Sequence, residues 1–214
     1  MERSSIPIVT YSLIVANVIA FIASLLLGHT RVVASLGAIP YLIVFGAETY
    51  RLVTSMFLHA DVLHILFNMW ALFVFGRDIE LVAGRRGFLV LYFMSGVVGG
   101  LAYAIYMIFY ASQFDPAALF VPAIGASGAV FGVMGAFAIV FPTRPLAIFF
   151  YFIPIIAPAF VAVMLMGLLQ TLLALVLPFG QIAYTAHIGG LVVGLALGST
   201  LRSQLIRRYY VLSD

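Results

Sequence analysis

The stretch IGASGAVFG, residues 124–132, sets one serine among three glycines and two alanines and runs directly into apolar residues. A lone serine in such a run is ordinarily a packing residue, because its hydroxyl bonds back to its own backbone. Here the neighbours matter more. Gly125, Gly128 and Gly132 leave one side of the segment nearly bare, so another backbone can approach closely. A matching surface lies in AHIGGLVVGLALG, residues 186–198, where Ala186, Gly190, Gly194 and Gly198 recur at every fourth position. Two bare stripes of this kind predict two helices packed backbone to backbone.

Composition says what surrounds them. Of 214 residues, 65% are hydrophobic and 8% are charged, against roughly a quarter charged in a soluble domain. Ten basic and seven acidic side chains cannot cover the surface of a soluble fold this long. The solvent is a lipid bilayer. Cysteine is absent, which excludes disulfide staples, thiolate nucleophiles and zinc-thiolate sites. The basic residues are all arginine, and no basic stripe interleaved with aromatics points to nucleic acid.

Crossing about 30 Å of hydrocarbon takes about 20 apolar residues. Six runs are read as candidates, 8–27, 62–75, 88–110, 127–141, 157–177 and 186–201, of which the second and fourth are short. The first is too long for a signal-peptide core and lacks a small-x-small cleavage site, so it is read as a helix. The run from Ser127 covers only about 22 Å at about 1.5 Å per residue, so one of its ends must stop inside the membrane. The expected fold is an all-α, polytopic bundle of six transmembrane helices forming a single domain over residues 1–214.

Short arginine-rich loops stay cytoplasmic. With six spans, Arg3, Arg77, Arg85, Arg86, Arg144, Arg202, Arg207 and Arg208 share one side, and Arg31 and Arg51 fall opposite. Both termini are therefore expected in the cytoplasm, with the start of the Ser127 helix at the outer end. A short chain without added soluble domains fits a prokaryotic plasma membrane. The long connection 28–61 is too apolar for disorder and is expected to lie in the outer membrane interface, anchored by Tyr41, Tyr50 and Phe57. The piece 146–158, broken by Pro154, is expected to be extended or interfacial.

Polar side chains within apolar spans are costly and mark function or helix-helix hydrogen bonds. His64 and Asn68 are four apart and share a helix face. A histidine and an asparagine without carboxylates or thiols make a poor metal shell, so neither a metal nor a cofactor is expected. Ser127 and His187 sit on or beside the two bare stripes. A serine hydroxyl becomes a nucleophile when a neutral imidazole takes its proton, and acyl transfer also needs donors for the oxyanion. His64, Asn68 and the Ser127 backbone N–H can supply them. Asp61 and Asp115 read as solvated loop charges, and Gln170 as a packing residue. A pore lined by the same polar residues is the competing reading; no paired halves with matching broken helices support it.

Three motifs carry a family resemblance. YRLVTSMFLHADVLHILFN (residues 50–68), GASG (125–128) and AHIGG (186–190) occur in that order, on the second, fourth and sixth expected spans. The chain resembles the rhomboid intramembrane serine proteases. That resemblance implies Ser127 as nucleophile and His187 as general base, a dyad without a carboxylate. It also implies oxyanion stabilisation by His64 and Asn68, and a loop shaped by Gly125. The implied substrate is a transmembrane helix of another membrane protein, cut in a water-filled hollow that opens outward. Tyr50-Arg51 stands where relatives often carry Trp-Arg, and Phe131 where many carry Tyr. Idle relatives that bind or escort membrane proteins typically lose the serine or the histidine; this chain has both.

Overall fold

The computed structural model describes residues 6–150, 153–176 and 183–211. The chain opens with an apolar helix, α1 (Ile8–Leu26), which buries Thr10, Leu13, Asn17, Phe21 and Ser24. These positions recur every three or four residues and define one inward face. The opposite face exposes Val15, Ile19, Ile22 and Leu26, as a helix in lipid does. At the start of α1, the buried Glu80 carboxylate accepts from Val9 N–H (2.9 Å), Thr10 N–H (2.7 Å) and Thr10 Oγ1 (2.7 Å). It thereby satisfies amides that a helix N-terminus leaves unpaired.

Residues 28–61 form no long helix. They carry the short helices α2 (His29–Leu36), α3 (Pro40–Val44) and α4 (Arg51–Thr54), then a 3-10 turn at Ser55–Phe57. Arg51 holds this connection together. Arg51 is 4% exposed, and its guanidinium donates from Nη1 to the Ala34 and Gly37 carbonyls, both at 3.0 Å, and from Nε to Glu48 at 2.6 Å. Thr54 Oγ1 adds a 2.7 Å bond to the Leu36 carbonyl. The Tyr50 hydroxyl and the Arg51 guanidinium together hold the Glu48 carboxyl below its ordinary pKa. The Glu48 contribution is therefore present at neutral pH and is lost only as pH falls through that lowered value. Arg51→Ala leaves two carbonyls without their donor. We expect it to destabilise the protein by about 2 kcal/mol, seen as a lower Tm; an unchanged Tm would mean that Arg51 does not secure this segment.

Helix α5 (Val62–Ala71) passes through a π-helical turn at Leu72–Gly76 into α6 (Arg77–Gln113). Inside α6, Gly84 has φ 72° and ψ 166°, a backbone open to glycine and costly for other residues. The chain turns back there. Phe88 packs beside Gly76, and Gly96 lies against Met56, so the two legs of this long apolar run are antiparallel. Asp61 caps α5 by accepting from His64 N–H at 2.8 Å. Asp115 likewise caps the 3-10 turn Pro116–Phe120 through Ala117 N–H at 2.9 Å.

Helix α7 (Ser127–Val140) lies at the centre, with ten of its fourteen residues buried. After it, Pro145–Phe150 (β1) and Ile153–Pro158 (β2) pair antiparallel, with Pro145 opposite Pro158 and Phe150 opposite Ile153. This hairpin departs from the all-α expectation. Its strands, PLAIFF and IPIIAP, are rich in apolar, β-branched and aromatic residues, and proline keeps the second out of a helix. The last helices are α8 (Ala159–Val176) and α9 (Tyr184–Val211). The molecule is mostly helical. Among the described residues, Ile8–Leu26, Val62–Gln113, Ala159–Val176 and Tyr184–Arg207 are long and apolar enough to cross a membrane. The fourteen residues of α7 reach only about 21 Å.

The two bare stripes face each other. A Cβ on Gly190 would collide with the Gly128 carbonyl oxygen, and one on Gly194 with that of Gly132; one on Gly198 would lie 2.7 Å from Ala136 Cα. The obstacles are backbone atoms, which no rotamer change can remove. Helices α7 and α9 are thus in direct main-chain contact along three turns.

Candidate active site

Close packing of α7 on α9 brings their N-terminal ends together. Ser127 is the first residue of α7, and His187 lies in the first turn of α9. Ser127 Oγ and His187 Nε2 are 2.7 Å apart. His187 is buried, and its imidazole stacks on Phe131, one turn after the serine, with centroids 4.5 Å apart and planes 7° from parallel. A phenyl ring therefore fixes the imidazole plane with no hydroxyl involved. Tyr184 meets the same imidazole edge-on at 6.5 Å.

The loop before Ser127 is held by main-chain bonds. Ala38 and Ala123 exchange N–H···O bonds of 2.9 and 3.0 Å, and Gly125 N–H donates to the Ser55 carbonyl at 2.9 Å. Tyr103 on α6 donates its hydroxyl to the Val121 carbonyl at 3.1 Å. The 28–61 connection is thus part of the support for the serine. Gly125 adopts φ 123°, and a Cβ there would lie 2.7 Å from His64 Nε2 and 3.6 Å from Ser127 Oγ. Only glycine combines that backbone with that proximity.

His64 therefore borders the serine through Gly125. Ala60 N–H donates to His64 Nδ1 at 3.4 Å, which makes Nδ1 the acceptor and leaves the proton on Nε2, the atom nearest Gly125. Asn68 is buried and donates from Nδ2 to the His64 carbonyl at 2.9 Å, which uses one of its two amide protons. The neighbouring His59, fully buried between the 3-10 turn and α5, meets His64 edge-on at 5.0 Å. Desolvation, then the nearby His64, push its pKa down to about 4, so it is neutral at neutral pH. No group of three or more His, Cys, Asp or Glu suited to a metal occurs among the described residues.

A rhomboid-domain model matches residues 46–204. This chain belongs to the rhomboid family. It is 32% identical over 147 residues to Rhomboid protein 1, mitochondrial, of Saccharomyces cerevisiae, covering 69% of this chain and 40% of that protein. It is also similar to Rhomboid protease GluP of Bacillus subtilis, at 31% over 133 residues, 61% of this chain and 24% of that one. Inactive rhomboid protein 1 of Bos taurus is 36% identical over 87 residues, 41% of this chain and 9% of that one. The chain spans less than half the length of these curated relatives.

Within this rhomboid fold two side chains lie differently from what the sequence led us to expect. Phe57 packs inward, 6.4 Å from Phe93, because the 3-10 turn carrying it points it at the core. Tyr41 and Tyr50 are exposed. Gln170, expected only to pack, has its Oε1 2.9 Å from His187 Nδ1. Asp61 and Asp115 cap their helices and make no contact with His187 among the described bonds.

Proposed function

We propose that this rhomboid is an intramembrane serine endopeptidase that cuts a transmembrane segment of another membrane protein. The observation that carries this is the 2.7 Å bond between Ser127 Oγ and His187 Nε2 at the start of a helix too short to cross the bilayer. Six spans account for the chain: the four long apolar runs, with Val62–Gln113 counted as two legs turning at Gly84, and the short α7. Residues 1–214 then act as one transmembrane domain. Arg77, Arg85, Arg86, Arg144 and Arg202 lie at the end of the bundle opposite Ser127, so positive charge assigns that end and both termini to the cytoplasm. The serine then opens outward, and the 28–61 connection lies in the outer interface with Tyr41 and Tyr50 at its surface. A prokaryotic plasma membrane and a mitochondrial membrane both suit this topology. No cofactor takes part.

In the first half-reaction Ser127 Oγ attacks the scissile carbonyl while His187 Nε2 takes its proton. The tetrahedral oxyanion is met by His64 Nε2–H, the second Asn68 amide proton and the Ser127 backbone N–H, which heads a helix and has no carbonyl a turn earlier to bond. The imidazolium returns the proton to the leaving amine as the C–N bond breaks, leaving an acyl-serine. Water, deprotonated by His187, then attacks the ester and frees Ser127 Oγ. A substrate helix must unwind locally to present its carbonyl, so helix-weakening residues such as glycine lower that cost.

The test is cleavage of a single-span substrate co-reconstituted in proteoliposomes. Two fragments are expected; an intact substrate after prolonged incubation would favour a binding or escort role. In that assay His64→Ala is expected to lower kcat by roughly 10²-fold, and Asn68→Ala by less, because one of its amide protons already serves the His64 carbonyl. Normal rates in both variants would remove these residues from the oxyanion site.

A further inference from the structure

Helix α8 is built of apolar residues except for Gln170 and Thr171. Thr171 spends its hydroxyl on the Gly167 carbonyl of its own helix, at 2.9 Å. Gln170 does not turn back on its helix. Val163, Gly167 and Ala174 are buried, and Gln170 falls on the same face at helical spacing, whereas Leu165, Leu168, Leu169 and Leu172 are exposed. Gly167 lets this face approach α9, since a Cβ there would lie 2.5 Å from Leu191 Cδ2. Tyr106 on α6 donates to the Ala174 carbonyl at 3.1 Å and ties the same face one turn further on. An amide side chain on the inner stripe of a lipid-facing helix is costly unless it is bonded. Its partner is His187 Nδ1, 2.9 Å away.

The chemistry of the ring fixes the direction of that bond. For Nε2 to accept the Ser127 hydroxyl proton it must be bare, so the proton of the neutral imidazole sits on Nδ1. Nδ1–H then donates, and the amide must present its oxygen. The chain Ser127 Oγ–H to Nε2, and Nδ1–H to Gln170 Oε1, is self-consistent only in this tautomer. We propose that Gln170 is a positioning residue for the proteolytic reaction: from α8 it holds His187 in the Nδ1–H tautomer and aims Nε2 at Ser127. Phe131 fixes the plane of the ring by stacking, but a stacked ring can still rotate within that plane and does not choose between its nitrogens. Gln170 supplies both choices. Because it stands on α8, its hold on His187 depends on α8 being seated against α9.

This assignment rests on the Ser127–His187 reading for its kinetic consequence, but not for its spectroscopic one. With ¹⁵N-histidine-labelled protein, NMR is expected to show the His187 ring protonated at Nδ1 in the native protein and redistributed toward Nε2–H in Gln170→Leu. Gln170→Glu keeps an acceptor and is expected to keep the native tautomer. In the cleavage assay Gln170→Leu should lose on the order of tenfold in kcat with KM unchanged, and Gln170→Glu should recover most of it. An unchanged tautomer and kcat in Gln170→Leu, or a Gln170→Glu variant as impaired as the leucine variant, would overturn the proposal. If the native protein itself cleaved nothing, the ring signals would still decide whether Gln170 sets the tautomer.

Discussion

Replacing Ser127 with alanine is expected to abolish cleavage of the reconstituted substrate while leaving the fold intact. The hydroxyl contributes one 2.7 Å bond to His187 and no core packing, so little stability is at stake. Its chemical share is large. Where a serine and an imidazole act as a unit, loss of either removes nearly the whole of the covalent pathway, and only binding and oxyanion stabilisation remain. The expected fall in kcat is roughly 10⁴-fold or more. His187→Ala should be equally inactive, and the double variant no worse than either single one, because the two groups serve a single proton transfer. The His187 substitution also removes the ring stacked on Phe131, so its Tm should fall more than that of Ser127→Ala. Cleavage by Ser127→Ala within tenfold of the native rate would rule out the dyad.

The second large effect is expected far from the reacting atoms. Gly194→Val puts a branched side chain where even a Cβ collides with the Gly132 carbonyl oxygen and lies 2.6 Å from its carbon and 2.7 Å from its Cα. Overpacking of a tight core typically costs about 1–3 kcal/mol when side chains can give way. Here all three obstacles are helix backbone atoms, so α7 and α9 must separate. Separation also breaks the contact between Ser127 and His187, which exists only because these helices touch. We expect Gly194→Val to fail to yield a folded, active protein, and Gly194→Ala to fold with about 3 kcal/mol less stability and reduced cleavage. Val192, exposed on the same helix, gives the control: Val192→Ala should change stability by less than about 0.5 kcal/mol. A Gly194→Val protein with native Tm would mean that the main-chain contact between the helices is not needed.

Much of this arrangement could be seen in the sequence because membrane helices leave few ways to pack closely. Small residues at every fourth position announce a backbone contact, and that contact dictates which polar residues can meet. Features carried by main-chain atoms left no such trace. The bonds between Ala38 and Ala123, and from Gly125 to Ser55, join segments whose side chains say nothing about pairing. Nor does Glu80 advertise that it will cap a helix seventy residues earlier. The Asp61 cap, by contrast, has a sequence signal, an aspartate directly before an apolar helical run. Gln170 was the hardest to read, since one amide in an apolar helix looks the same whether it bonds a neighbouring carbonyl or an imidazole. Pro154 marked the piece 146–158 as extended or interfacial, but the antiparallel pairing of Pro145–Phe150 with Ile153–Pro158 was not legible, because short apolar runs carry no signal for their partner.

The most direct test of the central claim is mass-spectrometric mapping of a fluorophosphonate probe on the purified, folded protein, since such a probe phosphonylates only a serine whose proton is being withdrawn. The account predicts an adduct on Ser127 in the native protein and none in His187→Ala. An unmodified Ser127 in the native protein, or an equal yield of adduct without the imidazole, would contradict it.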